Sequence, residues 1–282
     1  MIAKRSNNIN ANGETKFFED IFAKVGYAAK YVLTNELCEN KEMYLQTLMA
    51  YIDKGVPVIT MGHGGISPYG VIVGYEENGK TLLYITGNKN EPERISLEDA
   101  LSGYKYESGW IFVGEKKETR PLAEIYREAI YALPKLLTIN NDKYCFGAAA
   151  FRAWADDIEN GYYESIEPDK FDHWGMYTNF VCVLATNGSC VHNFLLRAKA
   201  LNPDMNFLDD VNKLYGRTAE IWNNDNGDDL EALGGGFNVT LEVLQNKEKR
   251  KKIAAKIREA ADCVDEVLRI LQAEVKELEG KH

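Results

Sequence analysis

The chain has 282 residues, 45% of them hydrophobic, enough for one large domain or two ordinary ones with a sizeable core. Its formal charge of −10 argues against a polyanionic partner, because nucleic-acid binders present a basic face. No run approaches the roughly 18 consecutive apolar residues of a membrane span, and the opening MIAKRSNNINANGE lacks the apolar core of a signal peptide.

The expected compartment is therefore the cytoplasm, with thiols reduced. The five cysteines are odd in number, irregularly spaced and without a CxxC pair, which argues against both a disulfide framework and a thiolate metal site. The basic run KEKRKK at 247–252 opens a strongly patterned helix and is offset by acidic residues further along. It reads as a solvated helix face rather than a nucleic-acid patch.

In chain order, Thr15 precedes FFEDIFAKVG, where Phe17, Phe18, Ile21, Phe22 and Val25 recur at helical spacing and Gly26 suits a helix end. YAAKYVL reads as a strand. A second helix is expected over about 39–54, with Tyr44, Leu45, Leu48, Tyr51 and Ile52 on one face. VPVITM, YGVIVGY and TLLYITG then read as three strands, the last two joined by a tight hairpin at Asn78-Gly79. Ser96 caps the short helix SLEDALSG, and WIFVGE closes the unit as a further strand. The order α-β-α-β-β-β-α-β predicts an α+β arrangement with mostly antiparallel strands.

From about Pro121 onward only helices are expected. PLAEIYREAIYALPKLL carries Pro121 in its first turn and Pro134 as a kink or break. DHWGMYTNFVCVLA is expected to end at Asn187-Gly188. The last segment places Ile253, Ile257, Ala261, Val264, Leu268, Leu271, Val275 and Leu278 in one seam along a long helix that packs on its neighbours. The GGG at 234–236 lacks the Lys-Ser/Thr of a phosphate loop and reads as a helix-breaking turn.

The run from the second helix through IDKGVPVI, a Gly-rich turn, VIVGYE, NGK and LYITG resembles the papain-like fold of bacteriocin leader peptidases. More closely, it resembles the N-terminal domain of the butirosin-biosynthesis protein H family. The later EIYREAIYAL, GAAAFRAWA and RKKIAAKIREA are similar to that family's helical part. The resemblance implies a papain-like antiparallel sheet with helices over 1–118, followed by an all-α helical bundle over 119–282. It also implies cysteine-dependent acyl transfer or peptidase-like chemistry. Such chemistry needs a thiolate at a helix N-terminus and a histidine base held by an Asn or Asp.

The family's cysteine helix precedes a segment like FFEDIFAKVG, yet only 16 residues stand before Phe17 and none is Cys. The base position falls at Pro68 or Tyr69, neither of which can take a proton from a thiol. Only the third position keeps a suitable type, Asn88 or Asn90. The expectation is a papain-like frame without its cysteine helix.

Among substitutes, His63 lies in the Gly-rich turn MGHGGIS. Cys145 stands near the start of a helix, where the dipole favours a thiolate, and His173 or His192 would have to serve as base. Small residues after Cys145 suit close helix packing instead. No spacing suggests a metal site, and no cofactor is expected. Aromatic and polar residues point to a ligand site at the domain junction: Tyr69, Asn88, Trp110, Tyr144, Trp154, His173 and Trp174. The expected function is binding of a small molecule or peptide without Cys–His catalysis. The rivals are an active enzyme, with its nucleophile at Cys145 or on a stretch outside this chain, and a regulatory module that pairs two copies through the long helix.

Overall fold

The computed structural model describes residues 17–61, 69–87, 89–102, 108–117, 119–141, 145–224 and 226–280. They divide between residues 120 and 121 into two compact units.

The first unit begins with α1 (Phe17–Lys24), β1 (Tyr27–Leu33), α2 (Thr34–Glu39), α3 (Lys41–Asp53), β2 (Val58–Met61) and β3 (Tyr69–Glu76). It continues with β4 (Thr81–Thr86), β5 (Glu93–Ser96), α4 (Leu97–Ala100) and β6 (Gly109–Lys116). The strands form one sheet in the order β1-β6-β2-β3-β4-β5, with every pairing antiparallel. Alternation along the strands sends Val58, Ile72, Leu82, Trp110 and Phe112 into a core that α3 closes with Tyr44 and Leu48. On the other face α1 packs through Phe18, edge-on to Tyr31 at 4.9 Å.

The unit is thus α+β, as its element order predicts, but three local features differ. The sheet has an extra edge strand, β5. Its ERIS sequence lacks an apolar alternation because β4 supplies the whole backbone ladder, Thr81 opposite Ser96 through Tyr84 opposite Glu93. Ser96 still caps α4, accepting from the Asp99 amide at 2.9 Å. A short helix, α2, fills what the sequence leaves as a connection. And the β3–β4 connection is wider than a two-residue hairpin. Glu77, Asn78 and Gly79 all take positive φ, and Gly79 lies so close to Leu45 that a Cβ would meet it at 2.6 Å.

The second unit is helical: α5 (Leu122–Leu137), α6 (Gly147–Glu159), α7 (Asn179–Thr186), α8 (His192–Leu201), α9 (Leu208–Trp222), α10 (Leu241–Gln245) and α11 (Lys247–Glu279). Pro134 does not break α5. It falls in the last turn, and the Thr138 hydroxyl donates to its carbonyl at 2.8 Å. The expected stop at Asn187-Gly188 is also absent. The chain runs on through a π turn (Asn187–Val191) into α8, and a second π turn (Trp174–Thr178) leads into α7. Gly188 serves close approach rather than termination, since a Cβ there would sit 2.7 Å from that of Ala219 on α9.

The seam of α11 is buried within its own unit, with Ile253, Ile257, Ala261 and Val264 in the main core and Leu271 in a second cluster. The basic run is not wholly solvated. Arg250 is buried, pairs with Glu164 and donates to the Glu159 carbonyl at 3.3 Å. The three glycines at 234–236 make a turn, with Gly234 at positive φ and the Gly235 carbonyl accepting from the Tyr177 hydroxyl at 2.8 Å. No helix among the described residues is long and apolar enough to cross a membrane.

Candidate functional site

The helical unit holds a half-open pocket of about 410 Å³. Its floor is one face of α6, where Gly147, Ala150, Phe151 and Trp154 follow the i, i+3, i+4, i+7 rule. Phe180 and Val183 of α7 form one wall, and Asn187 and Val191 of the following π turn extend it. Tyr215 of α9 and Val264 of α11 complete the lining. Asn187 and Val191 continue the face of Phe180 and Val183 at i+7 and i+11 from Phe180, so the chain carries one lining stripe from α7 through the π turn. Val183 is 41% exposed and so marks where the pocket meets solvent.

The segment before α6 is held firmly. Cys145 bridges to Asn140 as an isolated β pair, and the Phe146 amide donates to the Ile139 carbonyl at 2.9 Å. Gly147 then takes φ +57, and a Cβ there would lie 2.4 Å from the Leu137 carbonyl oxygen, so only glycine fits. No side chain caps α6.

Among the described residues that line it, none is Asp, Glu, Lys, Arg or His. Its polar groups are the Cys145 thiol, the Asn187 amide and the Tyr215 hydroxyl. The Thr218 hydroxyl donates to the Tyr215 backbone carbonyl at 2.7 Å, which uses its only proton. It must therefore accept from Asn187, whose Nδ2 stands 2.8 Å away, and that fixes the amide's orientation. Burial pushes the Tyr215 phenol up to about 12, so it stays a neutral donor. One turn back along α9, Asn212 Oδ1 lies 3.0 Å from His192 Nδ1.

Of the residues singled out from sequence, Cys145 and Trp154 both line this pocket. Cys145 is 5% exposed, and no imidazole lines the pocket beside it among the described residues. Trp154 packs edge-on to Tyr177 at 5.4 Å and against Phe180 at 5.8 Å. Trp110 belongs to the core of the first unit instead. His173 and Trp174 stand at the start of the first π turn. The Thr178 hydroxyl lies 3.2 Å from His173 Nδ1, while Trp174 is 59% exposed and turned away from the aromatic cluster. His63, Asn88 and Tyr144 lie outside the described residues. Tyr69 opens β3, and Gly70 pairs with Thr86, so the strand end expected to carry the base meets the strand end followed by Asn88.

Asn187, Tyr215 and Thr218 are the polar residues that sequence reading missed. Tyr215 and Thr218 share a face of α9 by their spacing, and Asn187 follows Phe180 and Val183 at helical spacing but was expected to lie in a helix stop. Among the described residues no group of three or more His, Cys, Asp or Glu is placed to hold a metal ion. Compared with known proteins, the chain matches no family model and no curated relative.

Proposed function

We propose that this protein binds a small, mainly apolar molecule in the pocket of its helical unit. In the same proposal its α+β unit is a papain-like frame of the butirosin-biosynthesis protein H type that performs no Cys–His catalysis. The pocket carries the reading. Its volume of about 410 Å³ falls within the range of ligand clefts, roughly 300–1,000 Å³, and its lining is mostly apolar and aromatic. The antiparallel sheet, with the Tyr69 end of β3 beside the end of β4, supports the frame. The absence of an imidazole among the pocket's lining residues supports binding without Cys145 chemistry.

The neutral fluorophore N-phenyl-1-naphthylamine tests the binding reading. Its emission should rise and saturate near one equivalent. Val183→Trp, which plugs the mouth from an exposed position, should abolish the rise while leaving the helical circular dichroism intact. Absence of saturable binding, or equal binding by the plugged variant, would overturn the reading. For catalysis the comparison is internal. The exposed thiols Cys38 and Cys190 should react with iodoacetamide faster than buried Cys145. Preferential labelling of Cys145 would reinstate a thiolate enzyme.

A further inference from the structure

The pocket's polar groups are few enough to define the ligand they suit, and this inference rests on the binding reading above. Tyr215 lies on α9 between two side-chain pairs that tie this helix to the π turn and α8, Asn187–Thr218 and His192–Asn212. Its own hydroxyl has no hydrogen-bond partner among the described residues and stands in the pocket wall. The indole N–H of Trp154, on the floor, is buried and equally without an acceptor. The Tyr215 hydroxyl is not sealed from solvent as that indole is, so of the two unpartnered donors it is the one a molecule in the pocket can reach.

Asn187 supplies the opposite function. Its Nδ2 is committed to Thr218, which leaves Oδ1 as an acceptor without a partner among the described residues, on a side chain that is 5% exposed. Among the described residues the wall lacks any charged side chain, so an ion entering it would lose hydration that those residues do not replace.

We infer that the pocket selects an uncharged, mainly apolar molecule bearing one hydroxyl or carboxamide, which accepts from Tyr215 and donates to Asn187 Oδ1. At about 30 Å³ per water-sized group, the volume admits a body of roughly 14 non-hydrogen atoms. A compact bicyclic or branched-chain alcohol fits. A phosphate ester, a carboxylate or a peptide with charged ends does not.

Three probes of nearly one shape decide the matter: 2-naphthol, 2-methylnaphthalene and 2-naphthoate, titrated at neutral pH against quenching of the tryptophan fluorescence. 2-Naphthol should bind at least as tightly as 2-methylnaphthalene despite its greater loss of hydration, and 2-naphthoate at least about tenfold more weakly. Tyr215→Phe should lower the naphthol-to-methylnaphthalene affinity ratio about tenfold. Its affinity for 2-methylnaphthalene should stay within about twofold, which shows that the pocket is intact. If 2-methylnaphthalene binds but the ratio survives the substitution, or if 2-naphthoate matches 2-naphthol, the assignment of ligand class is wrong while the pocket remains a binding site. If none of the three binds, the binding reading itself falls and takes this inference with it.

Discussion

Removing the Thr218 hydroxyl tests the hydrogen-bond arrangement on which the polar end of the pocket depends. Thr218→Val keeps the side-chain shape at a site with no solvent exposure, so packing changes little. Two bonds go, one at 2.7 Å to the Tyr215 carbonyl and one at 2.8 Å from Asn187. The carbonyl keeps its backbone partner within α9, so its loss is small. The Asn187 amide is buried and loses the partner of its NH2 group, which costs about 1–3 kcal/mol. A destabilisation near 2 kcal/mol is expected, or about 4–8 °C in a unit of this size. Urea titration followed by far-ultraviolet circular dichroism reads mainly the helical unit and gives the change directly. Adding Asn187→Leu should recover about 1 kcal/mol or more, because replacing both partners by apolar groups leaves nothing orphaned. A loss below about 0.5 kcal/mol for Thr218→Val, or strictly additive losses in the pair, would show that Asn187 is not oriented as argued.

Gly147→Ala should destabilise the helical unit by about 3 kcal/mol. A side chain at φ +57 costs about 1–2 kcal/mol, and the Leu137 carbonyl lies 2.4 Å from the new Cβ; a urea midpoint close to the parent's would count against the described α5–α6 connection. Tyr215 also predicts an alkaline signature. Its folded pKa is raised to about 12, so the stability linked to its proton is complete below the unfolded value near 10 and is lost as pH rises towards 12. Between pH 9 and pH 11 the parent should lose about 1.4 kcal/mol more than Tyr215→Phe, and equal losses in parallel denaturations would place the phenol in water.

The coarse architecture was legible because it rests on periodicity. Helical spacing exposes α1, α3 and α11, and β-rich runs bounded by turn residues expose β2, β3, β4 and β6. What escaped were elements whose stability comes from a neighbour. β5 is four residues with two charges, held by the ladder from β4. Arg250 looked like one cation among several, yet α11 rotates it inward onto Glu164 while its five neighbours stay exposed. Asn187-Gly188 carried the composition of a helix stop. Its amide instead finds Thr218, and its glycine lets two backbones approach, which are long-range facts that local sequence does not encode.

The same reason explains why the candidate site was only half visible. Cys145 and Trp154 could be picked out one by one as a reactive type and an aromatic, and both line the pocket. Asn187 continues the face of Phe180 and Val183 at helical spacing, but it stands in a dipeptide with the composition of a helix stop, so that face reads as ending before it. The first π turn ends at Thr178 and the second begins at Asn187, so α7 joins the bundle with its register displaced at both ends. Phe180, Val183 and Asn187 reach one cavity by ordinary helical spacing, i, i+3 and i+7, since the second π turn begins only at Asn187. The continuation of the chain through Asn187 into α8, in place of a stop, therefore gives the cavity its polar end, and π turns concentrate at functional positions.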